Sequence, residues 1–291
     1  MPAATKRAEV TGELRKLIEK SGQLPAQPSA LGYLLRALDD AESDAHELTA
    51  AIERFPPIAA RLISLANSAW SAPAEPIMDV EHACIHLGSR LVRTASMSMA
   101  VMAPFNIARC NGFASESFWC NTFLIAASAE RVSTSAGIDE ELSASTARTA
   151  GLLHNLGLLW LADKVPEPTA RAIANVHDDG TDLNTSLRSF CGTDACEVGG
   201  LLGRSWQLPD ELVVAMEYHD NPQYDGIGWQ YAAVVGGVAG IVDTVTRGSE
   251  EQVTDKNLDR LGVSQSTRED VLADVAAKLD DTLELTRTLR L

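Results

Sequence analysis

The sequence predicts an all-α protein. Apolar residues recur every three to four positions almost throughout the 291-residue chain, and no convincing stretch alternates with the period of two that a half-buried strand needs. Alanine and leucine are abundant while aromatic residues make up only 5%, a balance that favours helices. Clusters of Gly, Pro and Asn cut the periodic stretches into helix-sized pieces.

Val10, Leu14, Leu17 and Ile18 predict a short amphipathic helix, which "GQLPAQP" interrupts. Leu31, Leu34, Leu35 and Leu38 begin a second helix, with Ser29 as its N-cap. Leu48, Ala51 and Ile52 mark a third, stopped by "FPP" at 55–57. A fourth runs through Leu62 and Leu65 and ends near "ANSAWSAPAEP". Asp79 can cap the next, whose apolar face is Val80, Cys84, Leu87, Leu91, Ala95 and Met99. The stretch "APFNIARCNGFAS" (103–115) is the best internal boundary. A long helix follows over about 116–136, with Phe118, Thr122, Ile125, Ala129 and Val132 on one face and Gly137 as C-cap. Then come a helix through "GLLHNLG", a polar turn "HDDGTDLN" (177–184), helices in "DACEVGGLLGRSW" and "PDELVVAMEYH", and a small-residue helix over about 229–246. "RGSEEQVTDKN" is a charged linker. A last helix, roughly 267–290, carries Val271, Val275, Leu279 and Leu283 on one stripe. The expected division is an N-terminal helix (1–22), one domain (23–246), and a linker with a C-terminal helix (247–291).

With 24 Lys and Arg against 40 Asp and Glu, the net charge is −16. Such a chain repels phosphate backbones and anionic bilayers, so neither nucleic acid nor membrane is an expected partner. No run of 18 apolar residues is present, and the N-terminus lacks the apolar core of a signal peptide. The five cysteines, Cys84, Cys110, Cys120, Cys191 and Cys196, form no C-x-x-C pair. They predict free, mostly buried thiols in a reducing cytoplasm.

The stretch "AGLLHNLGLLWLA" (150–162) sets one imidazole and one carboxamide, His154 and Asn155, in an apolar segment. A His-Asp pair there would suggest a metal site, because metal catalysis on phosphate esters needs a cluster of imidazoles and carboxylates. Asn offers a neutral carbonyl, binds a divalent cation more weakly and is no general base. A core histidine with a polar neighbour is the other reading, and His219 in "AMEYHDNP" is a helix-end or surface histidine on the same terms.

In order along the chain, "LPAQP" (24–28), "ELTAAIERFPPIAARLISLANSA" (47–69), "DVEHACIHLGSRLVR" (79–93), "GLLHNLG" and "EVGGLLGRSWQLPDELVVAMEYHDNP" (197–222) resemble the signatures of the HDOD family, the HD-related output domains of bacterial signalling proteins. The resemblance spans roughly 20–246. It implies a helical N-terminal lobe (about 23–108) packed on an HD-like helical lobe (about 112–246). HD phosphohydrolases use a His, a His-Asp pair and a later Asp as metal ligands. Carried over residue by residue, these fall at Asn121, at His154 and Asn155, and at Asp243. A further family His falls at Ala195, and His219 matches another. Only His154 and Asp243 keep their ligand type, so a degenerate site without metal or other cofactor is expected. Asn121, His154 and Asn155 could instead hydrogen-bond one another in the core.

Three functions compete. The first is a non-enzymatic signalling domain that binds a partner protein. The family's company implies links to cyclic-dinucleotide or two-component signalling. The second is a phosphohydrolase or phosphodiesterase with an altered HD site, acting on a cyclic dinucleotide or a (p)ppGpp-like nucleotide. The third is a small-molecule sensor that keeps the old pocket. The segment "NSAWSAPAEPIM" is the candidate partner surface through Asn67, Ser68 and Trp70, since tryptophan is enriched at binding hot spots; packing of Trp70 into the core is the other reading. Self-association through the last helix is left open.

Overall fold

The computed structural model describes residues 32–35, 45–135, 142–248 and 255–289. The predicted helix through Val10, the "GQLPAQP" break, the Ser29 cap, Leu31 and Leu38, the Gly137 cap and part of the charged linker lie outside these residues.

Every regular element among the described residues is helical. The N-terminal lobe is built from α1 (Ala45–Glu53), α2 (Pro56–Ala66), α3 (Val80–Leu87) and α4 (Ser89–Met102). "FPP" does more than stop α1. Its two prolines open α2, because a missing N–H costs nothing in the first turn. Asp79 caps α3 by accepting from the His82 N–H. The apolar face expected to run from Val80 to Met99 is not one helix. It breaks at Gly88, whose φ is 80°, and resumes as α4.

A short 3-10 turn (Ile107–Arg109) in the expected boundary leads into the second lobe. Its helices are α5 (Ser115–Ser133), α6 (Ala144–Leu153), α7 (Leu156–Lys164), α8 (Pro166–Asp179), α9 (Leu183–Cys191), α10 (Ala195–Ser205), α11 (Asp210–Tyr218) and α12 (Trp229–Thr246). The chain ends in α13 (Lys256–Arg260) and α14 (Gln265–Leu289). Two further expectations need correction. The "GLLHNLG" helix is two helices, α6 and α7, which meet at His154 and Asn155. The first residues of "HDDGTDLN" are still helical, since α8 continues to Asp179 and ends on Gly180.

One contiguous cluster of buried apolar side chains runs from Leu34 to Leu289 and joins the two lobes. Trp119 and Trp160 are among its largest fully buried side chains. Across the lobe boundary, Phe105 packs against Trp206. Glu130 of α5 also binds Arg90 of α4 at 3.3 Å and Arg148 of α6 at 3.1 Å. All five cysteines are buried and unpaired. No helix among the described residues is long and apolar enough to cross a membrane.

The last helix packs on its own domain. Val271 and Val275 are buried, and Leu279 and Leu283 lie against the core. It runs antiparallel to α5. Arg131 meets Asp274 at one end, and at the other Thr286 donates to the Glu116 carbonyl at 3.3 Å while Arg287 binds the Glu116 carboxylate at 3.0 Å.

The second lobe depends on close helix approach. A methyl group on Gly157 of α7 would overlap the Ala195 carbonyl of α10, and one on Gly236 of α12 would overlap the carbonyl of His219. Backbone cannot move aside as a flexible side chain can. Gly157→Ala is therefore expected to cost about 3 kcal/mol or more. By contrast, a methyl on Gly240 would meet only Asp255 Oδ2 at 3.5 Å. Gly240→Ala is expected to be neutral or to stabilise by up to about 1 kcal/mol through helix propensity. Equilibrium urea unfolding of the two variants checks the contrast.

Candidate functional site

A cleft of about 960 Å³ opens where α5, α7, α9, α11 and α12 converge. Asn121, His154, Asn155, His219 and Asp243 all line it. Ala195 does not. It is buried behind the cleft, and its N–H donates to Asn184 Oδ1 at 3.1 Å.

His154 is only 4% exposed. Its Nδ1 lies 2.7 Å from the Gly151 carbonyl. A carbonyl can only accept, so Nδ1 carries the proton and Nε2 is a bare lone pair. His219 repeats the pattern, with Nδ1 2.9 Å from the Ala215 carbonyl and Nε2 3.7 Å from Cys196 Sγ. The two rings meet edge to face with centroids 4.9 Å apart. Burial pushes both imidazoles below their ordinary pKa, with the His219 ring adding to the effect on His154, which falls to about 3. Burial likewise pushes the Cys196 thiol up. The pair is neutral, and the thiol is no nucleophile.

Asn121 projects from α5 and Asn155 from the α6–α7 junction, where φ −107° and ψ 22° turn the chain. No hydrogen bond links Asn121, His154 and Asn155 among the described residues, so the mutual network expected in the core does not form. They face shared space instead. Asp243 is 55% exposed and holds Arg247 Nε at 2.8 Å. No group of three His, Cys, Asp or Glu side chains among the described residues could hold a metal ion.

Sequence reading missed Asn184. Its amide donates to Asp220 Oδ2 at 3.0 Å and to Cys196 Sγ at 3.4 Å, while its oxygen accepts from Ala195. It thereby ties α9 to α10 and to the residue after His219. The only signal was an Asn at the edge of a polar turn, which reads as turn chemistry.

The segment proposed as partner surface lies on the other lobe. Asn67 clasps the backbone of Ile77 in both directions: Nδ2 donates to its carbonyl at 2.7 Å, and Oδ1 accepts from its N–H at 2.8 Å. Ser68 Oγ accepts from the Ser71 N–H. Trp70 is half-buried against the core. Beside this loop, Met78 and Ile85 are 80% and 63% exposed, an apolar surface that periodicity does not reveal.

The HDOD domain model matches residues 24–222. The chain belongs to the HDOD family. Its fold is similar to that of an HDOD domain protein of unknown function from Geobacter sulfurreducens, at 19% identity and a TM-score of 0.70 over 98% of this chain and 99% of that one. It is also similar to a Marinobacter aquaeolei protein whose name proposes a role in signal transduction, at 21% identity and a TM-score of 0.80, covering 98% of this chain and 66% of the other. A Shewanella amazonensis protein whose name proposes a phosphohydrolase shares 22% identity with a TM-score of 0.68, over 95% and 97% of the two chains. An uncharacterized Treponema pallidum protein is 20% identical over 215 residues, 74% of this chain and 41% of its own length. This HDOD chain thus spans less than half of that curated relative.

The neutral His pair makes stability depend on pH. An unfolded histidine takes up a proton near 6.5, whereas folded His154 resists protonation down to about 3. Its contribution is complete above pH 6.5 and is lost as pH falls through that window. At about 1.4 kcal/mol per pH unit, His154 alone should remove about 2 kcal/mol between pH 8 and pH 5. His154→Gln keeps a polar side chain without a proton to gain. Urea unfolding at the two pH values should show a loss smaller by about that amount in the variant.

Proposed function

We propose that this HDOD chain is a non-catalytic signalling domain that acts by binding a partner protein. The observation that carries the reading is the donor set of the cleft. The resemblance to HD phosphohydrolases puts metal ligands at Asn121, His154, Asn155 and Asp243. Two of these are neutral carboxamides with no charge to offset cation dehydration. Asp243 is engaged by Arg247. His154 Nε2 is one strong donor, and the residues present do not fit a divalent metal centre. Asn155 also lacks the basicity to take a proton from water.

Elemental analysis of protein purified without added metal or chelator is expected to find far less than one Mn, Fe, Zn or Ni per chain. No turnover of a cyclic dinucleotide or a generic phosphodiester is expected with any of these added. One metal per chain, together with hydrolysis that His154→Ala abolishes, would put the phosphohydrolase reading first.

The partner surface we assign is the clasped loop 67–77 with Met78 and Ile85. Asn67 fixes the loop, Trp70 backs it, and the two exposed apolar side chains supply contact area. Ile85→Asp should abolish the partner recovered from native cells by pull-down and mass spectrometry, with the melting temperature unchanged. If both Ile85→Asp and Trp70→Ala, each folded, retain every partner, this face is not the interface.

A further inference from the structure

The inner end of the cleft has a definite hydrogen-bonding signature. His154 lines the cleft and is 4% exposed. Its one N–H is committed to the Gly151 carbonyl. Its Nε2 is left as an acceptor without a partner among the described residues. Beside it, the carboxamides of Asn121 and Asn155 line the same space and bond to no other described residue. Buried His154 and the half-buried Asn121 and Asn155 thus turn polar atoms into the cleft that only water or a ligand can satisfy.

The chemistry of that ligand follows from the atoms on offer. A lone pair on Nε2 repels phosphate and carboxylate oxygens and accepts from an N–H or O–H. Each carboxamide presents an NH2 donor group beside a carbonyl acceptor in a single plane. The charges agree with this preference. Asp182, Asp220, Asp243 and Asp255 line the cleft against Arg247 and Lys256, and Arg247 is already bound by Asp243. An anion would enter a net negative field. The remaining wall is apolar. Phe113 and Phe118, 5.4 Å apart, lie at one side, and Ile125 and Leu158 flank the polar trio. Apolar faces with in-plane donors and acceptors at the edge suit a planar heterocycle, and a carboxamide against a purine edge forms the paired bonds by which Asn reads adenine.

We propose that the inner end of this cleft binds an uncharged purine base or nucleoside. Asn121 and Asn155 pair with its edge, and His154 Nε2 accepts one of its N–H groups. The site discriminates against the 5′-phosphorylated forms. This goes beyond the partner-binding reading and does not depend on it, because the ligand would fill the cleft whether or not the opposite lobe holds a protein.

The test titrates the full chain with adenosine, guanosine and inosine and with their 5′-monophosphates, by calorimetry and by thermal shift at neutral pH. At least one nucleoside should bind saturably and raise the melting temperature, because a ligand specific to the folded state must stabilise it. Its monophosphate should bind about tenfold more weakly or worse. Asn121→Ala and Asn155→Ala should each weaken binding by about tenfold or more. Should an alanine variant fail to fold, Asn155→Asp keeps the side-chain shape while replacing the donor with charge, and the same loss is expected. The proposal is overturned if none of the three nucleosides gives saturable binding up to about 1 mM. Tighter binding of the monophosphates than of the nucleosides, or affinity that survives the folded variants at both asparagines, would overturn it equally.

Discussion

Backbone-to-backbone contact at Gly157 and Gly236 is the constraint from which the second lobe follows. Gly157 lets α7 touch the start of α10, and Gly236 lets α12 touch the residue that carries the second histidine. Between these contacts α10 is pressed against α11, where Gly199 has the Met216 carbonyl 3.3 Å from its missing methyl. Helices this close bury the His154 ring and cover much of His219. Buried imidazoles stay neutral, neutral imidazoles next to carbonyls take the Nδ1–H tautomer, and the Nε2 lone pair of His154 turns to the cleft while that of His219 faces Cys196. The protonation state of the site is therefore set by where side chains are absent as much as by where they are present.

Asparagine at 155 has the shape of an aspartate with different chemistry. A carboxamide has nearly the outline of a carboxylate, so helices packed around one accept the other without rearrangement. What changes is charge, basicity and the balance of donors and acceptors. The carboxamides of Asn121 and Asn155 therefore bring hydrogen-bonding groups without charge to the cleft wall. The surrounding carboxylates are occupied with local duties: Asp182 caps α9, Asp255 caps α13, and Asp220 receives Asn184.

Much of this was legible in the sequence where the cause is local. The helix over 229–246 and the stripe through Val271, Val275, Leu279 and Leu283 follow from apolar spacing, and the Asp79 cap from one side chain in one turn. The ordered motifs placed Asn121, His154, Asn155, His219 and Asp243 around one cleft, though spacing alone could not have gathered residues more than a hundred positions apart. Ala195 falls outside the cleft because its neighbour Asn184 takes the intervening space. The junction at His154 and Asn155 stayed hidden because an apolar stretch that bends keeps the same periodicity as one that does not. Helix α8 was missed because its prolines and terminal Asp-Asp-Gly read as punctuation. The Asn67 clasp spans ten residues and serves backbone, which no side-chain pattern records.

The pairing of Glu116 with Thr286 and Arg287 has a temporal consequence. Its partners are 170 and 171 positions apart, and they hold the end of α5 that leads to Asn121. Contacts of such separation carry a large loop-closure cost and form late. During synthesis, the N-terminal lobe and most of the second can collapse while α5 still has one bare flank. Only when the residues around 285–289 have cleared the ribosome does that flank gain its cover and the cleft wall its final support. A nascent chain would thus hold the histidine pair before α14 has closed the flank of α5 that leads to Asn121.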